Sequence, residues 1–546
     1  MAAEAEFVTA PSTPDTLEIV VERRLRQHDG GGEGGSSSST MTIFRVPAHV
    51  RDANRDLYEP RLVSIGPYYR GRPALRAMEQ HKWRCLRELL ALNPAASSAD
   101  CVRAVRAVEH RSRRCYSEQT DIFAAAAAAV HGGLTGGEVI GDGQSGGGGN
   151  PRGPDDFGEM LLLDGCFVLN FFIKWHNEEQ DELCDVGWGL PLLHSDLLLL
   201  ENQIPFFVLE ALFRAVSPQA EAWHLRSLIL PHLRLCKQLS PAEEERAIQA
   251  KEIHHLLHLL YEAIVPSAEE MAAPPVHASP GTTQCVVVRV KKAVSERFAF
   301  VRRNMPQLPL LRQATAACAW VSKCTARMGR RTAAAAAEPE TPPMVVPSVT
   351  LLREAGVRFE RKASPRHMFD ATFDAAAGVV SMPRLEVDHA NRPVLVNLAA
   401  FEQTTLRGRG GVGGGAGVAN AKKPVSSYAA LVSSLVRTGA DMEHLQKRGV
   451  VDNLLGSDDG AAAEFFQRLG DCGSLDYEDH HLAAMFAELS RYYHSSWRRH
   501  KARFLREHCS SPWAALALIV AGCAFCFALV KFSTTIYGLT HPNCRC

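Results

Sequence analysis

Apolar positions along this chain fall mostly at helical spacing and alternate only briefly. Leu75, Met78, Leu86, Leu89 and Leu90 mark one face of a helix that opens near Pro73, where a proline is tolerated because first-turn amides lack intrahelical acceptors. A second helix is expected over residues 100–129, closing in a run of alanines. The stretch MLLLDGCFVLNFFIKW (160–175) is apolar nearly all round, but it is short for a membrane span and carries Asp164 and Asn170. It reads as a buried core helix. In DLLLLENQIPFFVLEALF (196–213), Pro205 must kink the helix or start a new one after Gln203. A further helix is expected over 242–264. Beyond it, VTLLREAG reads as a helix closed by Gly356, while Val357, Phe359 and Arg361, and likewise residues 379–382, alternate as strands do. NRPVLVNLAAFEQ, SYAALVSSLVRTGADMEHLQKRGVV and AAAEFFQRLGDC read as helices, and a longer one is expected over 482–507. The predicted fold class is mainly α (α+β): a helical body, a small β element and one C-terminal transmembrane helix.

That last helix comes from the tail. From Trp513 to Val530 the chain reads WAALALIVAGCAFCFALV, 18 residues without a charge. Arg498, Arg499, Lys501, Arg503 and Arg506 precede it and Lys531 follows. Such a run is a membrane-span candidate, extendable to Tyr537, with 538–546 as a short tail beyond. The excess of basic residues before the span places the body on the cytosolic side. The first residues show no basic region leading into an apolar one, as a secretory signal would. Fifteen scattered cysteines fit reduced thiols.

Composition divides the rest. Residues 1–40 end in GGGEGGSSSST and are expected to be an unstructured tail. The body, 41–507, is interrupted by low-complexity insertions at about 131–158, 266–347 and 406–423. Residues 43–71, IFRVPAHVRDANRDLYEPRLVSIGPYYRG, are rich in proline, glycine and aromatics and read as extended and turn-rich. Lys+Arg and Asp+Glu both total 60, so no global charge bias points to nucleic acid. Residues 281–331 are locally basic, with eleven Lys/Arg against Glu296 alone. An anionic lipid surface suits them better than a nucleic acid, which would want more stacking aromatics.

Three acids sit inside apolar helical contexts: Glu79, Asp164 and Glu201. A buried carboxylate must be paired, hydrogen-bonded or neutralised. They form either an acid/base pair set apart by burial or structural partners of backbone amides and arginines such as Arg61 or Arg84. The structural reading is preferred. His254, His255 and His258 have HHxxH spacing, which puts His254 and His258 on one helix face as in a zinc motif, yet His255 occupies the place of the glutamate base. Asp479, His480 and His481 form a second small cluster, and Cys523 and Cys526 a CxxC inside the span. No Walker sequence or kinase signature is present, and the glycine spacings near Gly408 lack the preceding strand and following helix of a dinucleotide fingerprint. No catalytic residue, cofactor or metal ligand is expected.

The blocks IFRVPAHVR, LYEPRLVSIGPYYRG and LRAMEQHKWRCL, then MLLLDGCFVLNFF and DLLLLENQIPFFVLEALF, occur in that order. They are followed by LREAGVRFER, FDATFD, GVVSMPRLEVD, VNLAAFEQ and SYAALVSSLVRTGADMEHLQKRGVVDNLLGSD, with a PW before the span. Together they closely resemble the plant "domain of unknown function 247" family, from Ile43 to Tyr537. The resemblance implies a plant membrane protein with one C-terminal span and no established biochemical activity. Some grass members are linked to self-incompatibility, the recognition of self pollen. The expected function is therefore that of a tail-anchored, single-pass membrane protein, with the plasma membrane as its expected site. It would act through protein–protein recognition or signalling, with the lipid bilayer and an unidentified protein as partners. The alternative is an unrecognised enzyme that uses its buried carboxylates.

Overall fold

A computed structural model of the protein describes residues 41–94, 96–117, 156–179, 186–217, 222–233, 235, 239–266, 346–404, 422–456, 458–471 and 473–495. Beyond these it describes positions 500, 503, 513, 517, 520–522, 524, 525, 527, 528, 531 and 532. The three low-complexity insertions, the tail 1–40 and the basic stretch 281–331 lie outside the described residues, apart from a few edge positions.

The N-terminal half is helical. Two short helices, α1 (Ala48–Ala53) and α2 (Arg55–Tyr58), interrupt the extended opening segment. A 3-10 turn at Pro73–Leu75 leads into α3 (Arg76–Leu92), the position proline favours. The next helix, α4 (Ser98–Arg113), opens on a capping box: the Ser97 hydroxyl accepts from the Asp100 amide and the Asp100 carboxylate accepts from the Ser97 amide. It ends at Arg113, well short of the expected alanine run, which lies outside the described residues.

The central element is α5 (Asp156–His176), buried from Phe157 to Phe172 except at Glu159, as its all-round apolarity predicts. α3 and α4 pack on it, as does α7 (Phe206–Val216). Gly165 lets α5 and α7 approach, since a Cβ there would collide with the Leu212 side chain. Helix α6 (Gly189–Leu197) stops before the ENQ triplet. Pro205 then caps α7 in extended conformation, so the proline starts a new helix and does not kink an old one. α8 spans Ala222–Ile229.

The single helix expected over 242–264 is two helices, α9 (Pro241–Gln249) and α10 (Leu256–Ile264). Local competition breaks it. His255 is extended, its ring nitrogen accepts from the His258 amide as an N-cap, and the Leu256 amide donates to the Gln203 side chain.

The second half begins with α11 (Val349–Glu354), closed by Gly356 at a φ of +90°. β1 (Arg358–Arg361) runs parallel to β3 (Val379–Met382), and β2 (Thr372–Asp374) pairs antiparallel with β3, giving the order β1-β3-β2. β4 (Leu385–Val387) pairs in parallel with β5 (Val451–Asn453). The helices are α12 (Asn391–Thr404), α13 (Pro424–Leu435), α14 (Gly439–Lys447), α15 (Asp459–Asp471) and α16 (Ala483–His494). α12 touches α2, α6, α10, α13 and α15, and one continuous apolar core joins the two halves.

The mainly helical body with a small β element is as expected. The long helix expected over 482–507 ends instead at His494, where Ser495 turns extended. Among the described residues no helix is long and apolar enough to cross a membrane. Half of the segment from Trp513 to Val530 lies outside them. Its described positions (513, 517, 520–522, 524, 525, 527 and 528) are helical and exposed.

Close approach at Gly165 is directly testable. Gly165→Val should lower stability by about 1–3 kcal/mol, the usual cost of overpacking, read as an earlier denaturant midpoint of the folded chain.

Candidate functional site

Residues 43–71 are extended or in short turns, and much of the segment is buried, so its backbone amides need acceptors that no regular ladder supplies. The acceptors come from the DLLLLENQ block and from α5. The Asp196 carboxylate accepts from the amides of Arg61 (3.1 Å), Leu62 (2.6 Å) and Val63 (2.9 Å). Asn202 Oδ1 accepts from the Ile65 amide at 2.7 Å, while its Nδ2 donates to the carbonyls of Val63 and Asp196. Asp164 Oδ2 accepts from the Gly66 amide at 2.8 Å, and Glu201 Oε1 from the Val46 amide at 2.8 Å. Gly66 has a φ of +79°, and a Cβ there would run into the Gln203 carbonyl, so only glycine fits. Gln203 in turn holds the carbonyls of Leu197 and Leu199, and Asn397 of α12 donates to the Leu57 carbonyl and accepts from the Leu200 amide.

The three acids singled out by sequence fall into two networks. Glu79 and Asp164 share Lys82, whose Nζ lies 2.6 Å from Glu79 Oε1 and 2.7 Å from Asp164 Oδ1, and which also donates to the Ser64 carbonyl at 2.6 Å. Lys82 is wholly buried, as is Asp164 to within 1%. Arg70 adds a second cation, reaching Glu79 Oε2 and Asp156 Oδ1, each at 3.3 Å. Burial pushes the Asp164 carboxyl above its ordinary range, and the charges of Lys82 and Arg70 only partly pull it back.

Glu201 belongs to the other network. It is fully buried, with Arg51 Nη1 at 3.2 Å, Arg45 Nε at 3.5 Å and the Tyr69 hydroxyl donating at 2.6 Å. Burial first, and then the neighbouring carboxylate, drive the Tyr69 hydroxyl well above its usual value. Neither Arg61 nor Arg84 is a partner of these acids: the Arg61 guanidinium donates to Ser195 Oγ and Arg84 meets His81. Sequence reasoning missed Lys82, Arg45, Arg51 and, above all, Asp196. The i,i+3 spacing of Glu79 and Lys82 was a usable signal; nothing local marked Asp196. Burial lifts the Asp196 carboxyl to about 6, against the pull of its three amide donors.

The histidine motif does not form a helix face. His254 precedes α10, and its amide donates to His258 Nδ1 at 3.0 Å, while His258 Nε2 sits 3.1 Å from Glu262. Burial holds His255 well below its ordinary range, so it stays neutral. Among the described residues no group of three or more His, Cys, Asp or Glu is arranged to hold a metal ion. His480 accepts from the Leu482 amide at the start of α16 and packs edge-on against Phe486 at 4.7 Å. Burial lowers it to about 4. Its neighbour His481 lies 5.9 Å from the His367 ring.

One open cleft of about 360 Å³ borders the Glu201 network, with Val46, Pro47, Val50, Leu200 and Ala400 in its wall and Arg45, Gln403, Thr404, Asp471 and Ser474 also lining it.

A family model described as a plant protein of unknown function, domain of unknown function 247, matches residues 43–527. The match begins at Ile43, fully buried at the start of the segment that the acids hold. The chain is similar to two UPF0481 proteins of Arabidopsis thaliana. One is 24% identical over 537 residues, covering 92% of this chain and 90% of that protein. The other is 24% identical over 522 residues, covering 93% and 88%. No solved structure matches the chain.

Lys82→Met leaves two carboxylates facing each other without their shared cation. It should cost about 3–5 kcal/mol in chemical unfolding, and adding Asp164→Leu should recover part of that loss. His480 gives a pH test. Between about 6.5 and about 4 the unfolded chain binds a proton that folded His480 refuses, so stability should fall as pH drops through that window. In a series of melting temperatures against pH, His480→Asn should flatten the slope there, leaving the shares of His255 and His481 in place.

Proposed function

The chain belongs to the plant family called domain of unknown function 247, and from that premise we propose that it is a single-pass, membrane-tethered protein that works by protein–protein recognition or signalling. The observation that carries this reading is where its buried acids are spent. Asp196, Glu201 and Asp164 all bind backbone amides of residues 43–71, and Glu79 pairs with Lys82 and Arg70 beside them. Groups held this way build a frame.

The tether reading rests on the tail. Trp513, Val520, Phe525, Phe527 and Phe532 occupy helical positions with side chains more than 60% exposed. Large apolar groups left in water cost on the order of 25 cal/mol per Å², and a bilayer removes that cost. The basic residues that precede the tail put the body on the cytosolic side, with the plasma membrane as the proposed location.

A second reading, an enzyme using buried carboxylates, is favoured by one feature: a wholly buried amine, Lys82, between Glu79 and Asp164. Under it, Glu79→Gln and Asp164→Asn would each abolish a turnover that the folded parent shows.

Crosslinking with mass spectrometry in plant membranes separates the readings. Full-length protein should capture a specific membrane-resident partner, and a chain ending at Glu507 should lose it. Capture of the same partner by both forms, or recovery of full-length protein in the aqueous fraction, would overturn the tether.

A further inference from the structure

We infer that the open cleft beside Arg45 takes a short segment of a partner protein that combines an apolar side chain with a basic one. The apolar group lies against Val46, Pro47 and Ala400, and the cation turns toward Asp471.

Shape and charge argue for this occupant. The wall formed by Val46, Pro47, Val50, Leu200 and Ala400 is apolar. At about 360 Å³ the cleft sits at the small end of binding-site volumes, enough for a short peptide segment. Two helices end at its edge: α12 with Gln403 and Thr404, and α15 with Asp471. Helix C-termini carry the negative end of the backbone dipole, and cations are stabilised there. The Asp471 carboxylate is exposed, and among the described residues no ion pair neutralises it. A cation of the chain already uses this edge: Lys423 Nζ donates to Gln403 Oε1 at 2.7 Å and to the Ser474 carbonyl at 2.8 Å. The one lining residue of opposite sign, Arg45, is turned to the buried Glu201 and lies over the Tyr68 ring at 5.3 Å. Its charge is therefore already answered, and it does not compete with an incoming base.

This inference rests on the recognition reading above and adds the chemistry of the partner. The test uses full-length protein in detergent and two fluorescein-labelled hexapeptides, Gly-Ser-Leu-Arg-Ser-Gly and Gly-Ser-Leu-Glu-Ser-Gly, followed by fluorescence polarisation. The arginine peptide should bind about five-fold or more tightly than the glutamate one, the scale of one exposed charge pair, and the difference should shrink with added salt. Asp471→Lys should remove the preference. Ser474→Trp, at an exposed rim position, should weaken binding by narrowing the cleft. Equal binding of the two peptides, or a preference that survives Asp471→Lys, would overturn the inference. So would binding that appears only when residues 405–421 are deleted, because the chain would then be filling its own cleft. A membrane partner captured by crosslinking alongside failed peptide binding sinks this inference and spares the recognition reading. Peptide binding without any membrane-resident partner spares this inference and sinks the membrane tether.

Discussion

Everything in the N-terminal half depends on satisfying the backbone of residues 43–71. The segment is too rich in proline and glycine to form a long helix and enters the core without a sheet to pair with. Its amides are met by carboxylates and carboxamides: Asp196 takes three, and Asn202, Asp164 and Glu201 take one each. A buried amide without an acceptor costs about 1–3 kcal/mol, so losing this set would undo a large fraction of a typical domain's stability. A further carboxamide joins the halves: Asn397 of α12 donates to the Leu57 carbonyl and accepts from the Leu200 amide.

Placing charge inside the body has its own logic. Lys82 and Asp164 lie where water cannot screen them, and the desolvation cost of such a pair can exceed its attraction. The arrangement holds because both ions have further partners. Lys82 also reaches Glu79 and the Ser64 carbonyl, and Asp164 also binds the Gly66 amide. The network therefore fixes one geometry between α3, α5 and the opening segment. A purely apolar contact of equal area would leave that geometry less defined. Glu201, with two arginines and a tyrosine, does the same between the opening segment and the turn after α6.

The buried acids and Lys82 are committed to the frame between α3, α5, the turn after α6 and the opening segment. A cleft between the opening segment and the ends of α12 and α15, and the exposed apolar side chains of Trp513, Val520, Phe525, Phe527 and Phe532, are two features that a frame alone does not call for.

Much of this was legible in the residues. The all-round apolarity of 160–175 determined a buried helix, Pro73 determined where a helix begins, Pro205 determined that the helix around it is kinked or restarted, and the alternation at 379–382 determined a strand, because each rests on short-range periodicity or backbone geometry. The sequence also determined that Glu79, Asp164 and Glu201 had to find partners. Who those partners are was decided only in three dimensions. Arg45 and Arg51 reach Glu201 across about 150 residues, and Asp196 meets the Arg61–Val63 amides across more than 130. No local pattern encodes such distances. The break between α9 and α10 was hidden for the same reason. The helical period runs through residues 250–255, but the Leu256 amide is claimed by Gln203, a side chain 53 positions away, and a distant acceptor outbids the helix.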